Sequence, residues 1–341
     1  MWLDFSCKKN YNTCSISNNW KNSILEFLRN WNDNTSTIVT STSGTTTGIP
    51  KKIFLKKEYM YRRATITVDF LKLNKKKIKG FLCLPINYIA AKMFLIRAII
   101  FQWKVYCIKP TSNPLKNIKE YFDISSMIPI QVSFGIKNIN YIKTILIGGT
   151  FISKSLEVKL QKVITNCYVT YGMTETAGHI ALRKINGLDR NRYYKSFYDV
   201  IIFSDKRNCL NIYTSINSLI VTNDIVDIKS KNTFIWIGRY DNIINSGGIK
   251  IIPELIEKYI SIYIPYNKRF FISSIPDDMF GEKIILVIEG NPFTLKIPNY
   301  IFFGEKKYFK PKKIFFITNF IENSFGKVKK KEIVKHIIMK K

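Results

Sequence analysis

Apolar residues recur along the chain with two different periods, and the switch between them sets the expected architecture. Trp20, Ile24, Phe27, Leu28 and Trp31 fall at helical spacing, which predicts an amphipathic helix. The short apolar run 53–55 predicts a strand, and 57–71 a second helix. Residues 81–84 read as a strand closed by Pro85, 89–103 as a mostly buried helix and 105–108 as the next strand. A further strand over 144–147 runs into Gly148-Gly149-Thr150, with a helix over 153–164 and apolar Tyr168-Val169-Thr170 beyond it. This strand–helix–strand rhythm predicts a parallel sheet with helices packed on it.

From Tyr198 the pattern shortens. Alternating runs at 200–203, 211–213, 219–222, 226–228 and 234–237 predict a smaller β-rich subdomain. Gly238-Arg239-Tyr240-Asp241-Asn242 breaks the run and marks a domain boundary. A helix opens at Pro253, with Glu254 and Glu257 near its positive end. The expected organisation is one domain over residues 1–239 and a small α+β domain over 240–341.

With 341 residues, 46% of them hydrophobic, the chain can bury a substantial core. No basic region followed by an apolar run marks a signal peptide. The most apolar segment, 81–101, is interrupted by Pro85, Asn87, Lys92 and Arg97, so no membrane span is expected and a cytoplasmic location is. Six cysteines without C-x-x-C pairs do not read as a zinc site or disulfide framework. The net charge of +30 raises the question of a nucleic-acid partner. Lysine, however, comes with abundant Ile, Asn, Tyr and Phe, all with A/T-rich codons, spread over the whole chain. Nucleotide bias is the simpler cause, no basic stripe is evident, and no nucleic-acid partner is expected. The sequence is silent on oligomeric state.

Candidate chemistry centres on residues 40–51, T-S-T-S-G-T-T-T-G-I-P-K. Hydroxyls and backbone N–H groups there can surround an anion, with Gly44 and Gly48 letting the main chain curl close and Lys51 adding charge. Taken alone the run fits a flexible linker equally well. It is not a Walker loop, whose G-x-x-x-x-G-K-[ST] order is absent. Glycines after a strand, as at Gly148 and Gly149, admit a planar ligand or simply make a tight turn.

In combination, the motifs resemble the adenylate-forming superfamily of acyl- and aryl-CoA synthetases. Residues 43–51 resemble its S-G-T-T-G-x-P-K phosphate loop, and Tyr171-Gly172-Met173-Thr174-Glu175-Thr176 its Y-G-x-T-E signature. Thr222-Asn223-Asp224 resembles T-G-D, residues 238–250 resemble G-R-x-D-D-x-I-x-x-x-G-x-K, and Gly326-Lys327 the closing G-K. The resemblance implies an α/β fold: a large domain of mixed sheets with packed helices, shortened at its N-terminus, and a small α+β lid. It implies ATP, Mg²⁺ and coenzyme A as cosubstrates and cofactor, with a small carboxylic acid as substrate. Ser43, Gly44, Thr45, Thr46, Gly48 and Lys51 would hold the β- and γ-phosphates. Thr174 would bind the α-phosphate and Glu175 the magnesium ion. Gly148 and Gly149 would flank the adenine, Tyr171 and Gly172 would belong to the ATP site, Asp224 would take the ribose hydroxyls and Arg239 would lie near the ribose and phosphate. Lys327 would neutralise charge between carboxylate and α-phosphate, Asp241 would be the hinge, and Ser246, Gly247 and Gly248 would meet the pantetheine arm.

Three departures stand out: a third threonine in the phosphate loop (Thr47), Asn223 before Asp224, and Asn242 for the second hinge Asp. The short form, with Leu84-Pro85, Tyr88-Ile89-Ala90-Ala91-Lys92-Met93 and His179-Ile180-Ala181, resembles compact 2-succinylbenzoate–CoA ligases of menaquinone synthesis. That substrate has a second carboxylate, for which Lys92 and His179 are the candidates; a snorkelling lysine and an ordinary loop histidine are the alternatives. Another acid, or a carrier-protein thiol, fits the same chemistry, and an inactive ligase scaffold that binds nucleic acid is a different class of reading.

Overall fold

The computed structural model describes all residues except 7–18, 42–50, 74–76, 215–216, 324–326 and 340–341. Its helices are α1 (Asn19–Asn32), α2 (Lys57–Phe70), α3 (Ile89–Ile100), α4 (Pro129–Gly135), α5 (Lys154–Leu160), α6 (Pro253–Ile260) and α7 (Lys330–Met339).

A 12-stranded sheet organises the first part of the chain. Its centre is parallel, in the spatial order Lys104–Cys107, Lys79–Leu82, Phe122–Met127, Ile142–Ile147, Asn166–Met173. The short strand Trp2–Asp4 closes one edge in antiparallel pairing. Along each central strand successive side chains enter opposite cores. Leu82, Val105, Ile124 and Leu146 pack under α1, α2 and α3, whereas Phe81, Phe122, Ile145, Ile147 and Val169 pack against α4 and α5. Covering both faces removes the polar alternation expected of an exposed sheet, and each fully buried Ile, Leu or Phe contributes about 1.5–3 kcal/mol.

The β-rich subdomain expected after Tyr198 is not a separate body. Its strands continue the same sheet through Gly178–Lys184 and Tyr194–Ser196, in the order Thr233–Arg239, Asn217–Ser230, Cys209–Thr214, Val200–Ser204. The runs 219–222 and 226–228 are halves of the single strand Asn217–Ser230, whose pairing with Thr233–Arg239 is interrupted by register shifts. A bulge turns the chain without ending the strand.

Beyond Ile243 a five-stranded sheet forms around Gly281–Glu289, which pairs with Ile244–Ser246, Phe270–Asp277 and Lys313–Ile317. Alternate residues again face opposite cores: Ile272, Ile284 and Leu286 pack on α6, and Phe271, Ile285 and Val287 on α7. Helix α6 rests on the end of strand Thr233–Arg239 at Gly238, where a Cβ would come within 2.4 Å of Ile252 Cγ2 and 2.6 Å of Glu254 Oε2. Only glycine permits that approach.

Candidate active site

The carboxyl ends of the parallel strands open into one cavity of about 890 Å³. At its floor, strand Ile142–Ile147 ends in Gly148, whose N–H donates to the Met127 carbonyl at 3.1 Å. A Cβ at Gly148 would lie 2.3 Å from Thr170 Oγ1, and Gly149 has φ of +88°. Both positions therefore require glycine, and both line the cavity.

The neighbouring strand runs through Tyr171 and Gly172 into a turn tied by Thr176. That hydroxyl accepts from Met173 N–H at 3.0 Å and lies 2.6 Å from the Gly178 carbonyl. A Cβ on Gly172 would sit 2.1 Å from the Gly178 carbonyl oxygen. This tightness leaves Thr174 and Glu175 at the cavity wall.

Asp224 reaches the cavity from strand Asn217–Ser230. It accepts from Tyr171 Oη at 2.7 Å and Trp236 Nε1 at 3.2 Å, and Arg239 Nη1 lies 3.6 Å away. Arg239 is itself clamped to Asp241 by two bonds of 2.9 Å. Two donors and the nearby guanidinium fix the carboxylate's orientation, and a carboxylate has capacity for more. Tyr171 is consequently held as a phenol: burial and the adjoining Asp224 charge push its pKa well up.

Lys327 enters the same cavity from the second sheet's side of the molecule. Burial lowers its ammonium pKa, as does Arg239, while Glu175 and Asp224 oppose the shift. Its backbone N–H is bonded to Asn323 Oδ1 at 3.0 Å. Lys51 lines the cavity from the far wall, so Lys51, Gly148, Gly149, Tyr171, Gly172, Thr174, Glu175, His179, Asp224, Arg239 and Lys327 are brought together. Ser43, Gly44, Thr45, Thr46 and Gly48 lie outside the described residues.

Other expectations are placed elsewhere. Lys92 does not line the cavity: its ammonium donates to the Val39 carbonyl at 3.2 Å, and burial lowers its pKa. Its position on α3 turns it toward strand Thr37–Ser41, away from the cavity. Asp241, Ser246, Gly247 and Gly248 also stand off the cavity wall. The last three form the tip of the hairpin Ile244–Ser246/Ile249–Ile251, with φ of +59° and +79° at the two glycines.

Arg97 is the residue that the sequence reading passed over, noted only as an interruption of an apolar run. It lines the cavity beside Leu84, Ile89, Met93, Gly178 and His179. It is 2% exposed, no carboxylate pairs with it among the described residues, and its Nε has no hydrogen-bond partner. Burial alone pushes its pKa down to about 9. An unpaired buried guanidinium is costly and is a place for an anion. The available signal was an arginine in an apolar helix with no acidic residue three or four positions away.

Against known proteins, no protein-family model matches the chain. Among curated proteins it is similar to 2-succinylbenzoate–CoA ligases: that of Lactococcus lactis, 26% identical over 57% of this chain and 47% of the relative, and that of Haemophilus influenzae, 24% identical over 79% and 63%. The chain thus spans about half to two-thirds of the length of these curated relatives. Among solved structures, an AMP-forming acyl-CoA synthetase/AMP-acid ligase II-like protein from Dyadobacter fermentans superimposes with a TM-score of 0.62 and 29% identity, covering 95% of this chain and 96% of that one. O-succinylbenzoate coenzyme A synthetase from Bacillus subtilis, in complex with ATP and magnesium ion, gives 0.70 at 16% identity over 87% and 69%.

The fold, with a cavity at its strand ends, is therefore that of the adenylate-forming acyl-CoA synthetases, a superfamily to which the chain is similar at 29% identity over 95% of its length. Within it, the sequence relatives are the 2-succinylbenzoate–CoA ligases.

Proposed function

We propose that the chain is an ATP-dependent acid–thiol ligase that activates 2-succinylbenzoate as an acyl-adenylate and passes it to coenzyme A. The observation that carries the choice of acid is Arg97. The cavity has a polar end with Thr174, Glu175, Asp224, Arg239 and Lys327, and an end with Leu84, Ile89 and Met93 where this guanidinium has no carboxylate partner among the described residues. A substrate with an aromatic body and two carboxylates matches both ends: one carboxylate meets the nucleotide, the other meets Arg97.

The residues divide the work as follows. Gly148 and Gly149 admit the adenine to the backbone, and Asp224 accepts from the ribose hydroxyls. Thr174 donates to the α-phosphate, and Lys51 contributes charge at the triphosphate's tail. Lys327 stands beside Glu175 and Asp224, where it can stabilise negative charge developing between the attacking carboxylate and the α-phosphorus. No cluster of three or more His, Cys, Asp or Glu side chains suited to a metal exists among the described residues. That fits magnesium, which takes one or two carboxylates plus phosphate oxygens, so Glu175 would hold it. When bound, the ion supplies charge neutralisation on the phosphates. Transfer to the thiol needs the hairpin at Ser246–Gly248 in place of Lys327, by rotation about Asp241.

The test is pyrophosphate release over a panel of acids with coenzyme A as acceptor. Turnover with 2-succinylbenzoate well above benzoate, succinate and fatty acids supports the reading. Preference for a monocarboxylate, or activity only with a carrier-protein thiol, would replace the acid or the acceptor.

A further inference from the structure

Tyr59, Arg63 and Thr67 recur at intervals of four along α2 and so share one of its faces. All three are buried, at 3%, 1% and 1% exposure. Each is bonded to the segment 176–179. Tyr59 Oη donates to the Thr176 carbonyl at 3.3 Å, Arg63 Nη2 donates to the His179 carbonyl at 3.2 Å, and Thr67 Oγ1 lies 3.0 Å from His179 Nε2. Arg63 is balanced by Asp199, whose carboxylate oxygens are 2.7 and 2.8 Å from Nη1. A buried polar stripe thus braces the strand that follows the Thr174–Glu175 turn.

The stripe also decides the state of the imidazole. A threonine hydroxyl has one proton. Thr67 donates it to the Arg63 carbonyl, one helical turn back, at 3.0 Å. The contact with His179 must then be filled by the ring's proton, with Nε2–H donating to Thr67 Oγ1. A neutral imidazole carries one N–H, so Nδ1 keeps its lone pair. The surroundings agree. The groups around the ring are the Arg63 guanidinium and Thr67 from α2, Arg97 from α3 and the Phe197 ring, edge-on at 5.7 Å. Asp199 is engaged by Arg63. Burial, reinforced by the two guanidinium charges, holds the imidazole pKa well below its usual value.

We propose that Thr67 and Arg63 are positioning residues that lock His179 as the neutral Nε2–H tautomer, so that it serves the cavity as a hydrogen-bond acceptor and leaves anion binding at that end to Arg97. An entering acid then meets one cation and one lone pair, not two cations. Its carboxylate is drawn to Arg97 and turned from Nδ1, which sets the direction in which the acid lies. The consequence for the acid rests on the ligase reading; the tautomer does not.

The chain has two histidines, so His336→Gln leaves one imidazole to observe. Long-range proton–nitrogen spectra of the full-length, nitrogen-15-labelled variant should show a protonated Nε2, an unprotonated Nδ1 and no titration between about pH 6 and 8. Thr67→Ser should keep that pattern. Thr67→Val should shift it toward Nδ1–H, because the Nε2–H loses its buried acceptor, with kcat and the ATP KM held. An Nδ1–H or doubly protonated ring in the parent chain overturns the lock whatever the activity, and so does an unchanged tautomer in Thr67→Val. If Thr67→Val does not fold, the parent and Thr67→Ser spectra decide alone. The expected tautomer in a chain without ligase activity would remove the ligase reading and leave the lock standing.

Discussion

Replacing Arg97 by Met should separate stability from binding in opposite directions. Among the described residues no carboxylate pairs with this buried guanidinium, and burial pushes its pKa down by several units to about 9. At roughly 1.36 kcal/mol per unit, holding that charge in the folded chain costs on the order of 5 kcal/mol before relaxation. The folded pKa lies below the unfolded one, so this destabilisation is fully present below about pH 9 and fades only as pH climbs toward the ordinary arginine range. At neutral pH the whole cost is therefore felt. Methionine fills much of the same volume without a charge, and swaps of buried ions for apolar side chains often gain about 1–4 kcal/mol.

Binding should move the other way. Truncating one partner of a desolvated charge pair costs about 2–5 kcal/mol, which is roughly 30- to 5000-fold in the dissociation constant. Urea unfolding of ligand-free Arg97→Met should give a higher midpoint than the parent. Pyrophosphate exchange should show the KM for the dicarboxylic acid raised on the order of 100-fold, with little change for an aromatic monocarboxylate. A variant that is less stable and binds the dicarboxylic acid normally would show that Arg97 serves the core, and the assignment of the acid end would go with it.

Lys327→Ala should slow adenylate formation about 10²–10³-fold while sparing thioester formation from supplied adenylate; equal loss in both half-reactions contradicts its placement. Asp241→Pro should do the reverse, blocking thioester formation with adenylation nearly intact, as separate half-reaction assays would show. Gly172→Ala forces a Cβ to 2.1 Å from a backbone oxygen, so the 171–178 turn must open. A fall of several degrees in Tm together with loss of nucleotide binding is expected, and an unperturbed Tm would refute the close packing there.

The parts of the fold legible in the sequence were those in which one local signal sufficed. The helices at 19–32 and 57–70 and the strand ends at Gly148 and Gly172 follow from apolar spacing and from glycine's freedom. Strand Gly178–Lys184 was not foreseen, because Ile180, Ala181 and Leu182 are all buried and no alternation survives between two covered faces. The separate β-rich subdomain failed for a related reason: a bulged strand reads as two short ones, and nothing local says which sheet it joins. The site divides in the same way. Tyr171, Thr174, Glu175, Asp224 and Lys327 announce themselves by motif. Arg97 and the Tyr59–Arg63–Thr67 stripe do not, since what distinguishes them is the lack of a partner in one case and a partner more than a hundred positions away in the other.

The cavity's charge, not the chain's, carries the functional meaning. Among the described residues its wall holds four lysines (Lys51, Lys154, Lys258, Lys327) and four arginines (Arg97, Arg183, Arg192, Arg239) against Glu157, Glu175 and Asp224, an excess of five positive charges. A nucleoside triphosphate and a dicarboxylate together bring about six negative charges at neutral pH, so the filled site is close to balanced. Once pyrophosphate leaves, an acyl-adenylate with one free carboxylate retains only about two of them. The cations left behind then repel one another in a partly desolvated space, where such terms are largest. Lys327 and Lys258 both belong to the second sheet's side, and Arg239 already disfavours the charge of Lys327. Under the proposed ligase reaction, loss of pyrophosphate would thus weaken the hold on Lys327 before the thiol enters. The same arithmetic would tie the proposed domain rotation to that reaction without any contact made only for that purpose.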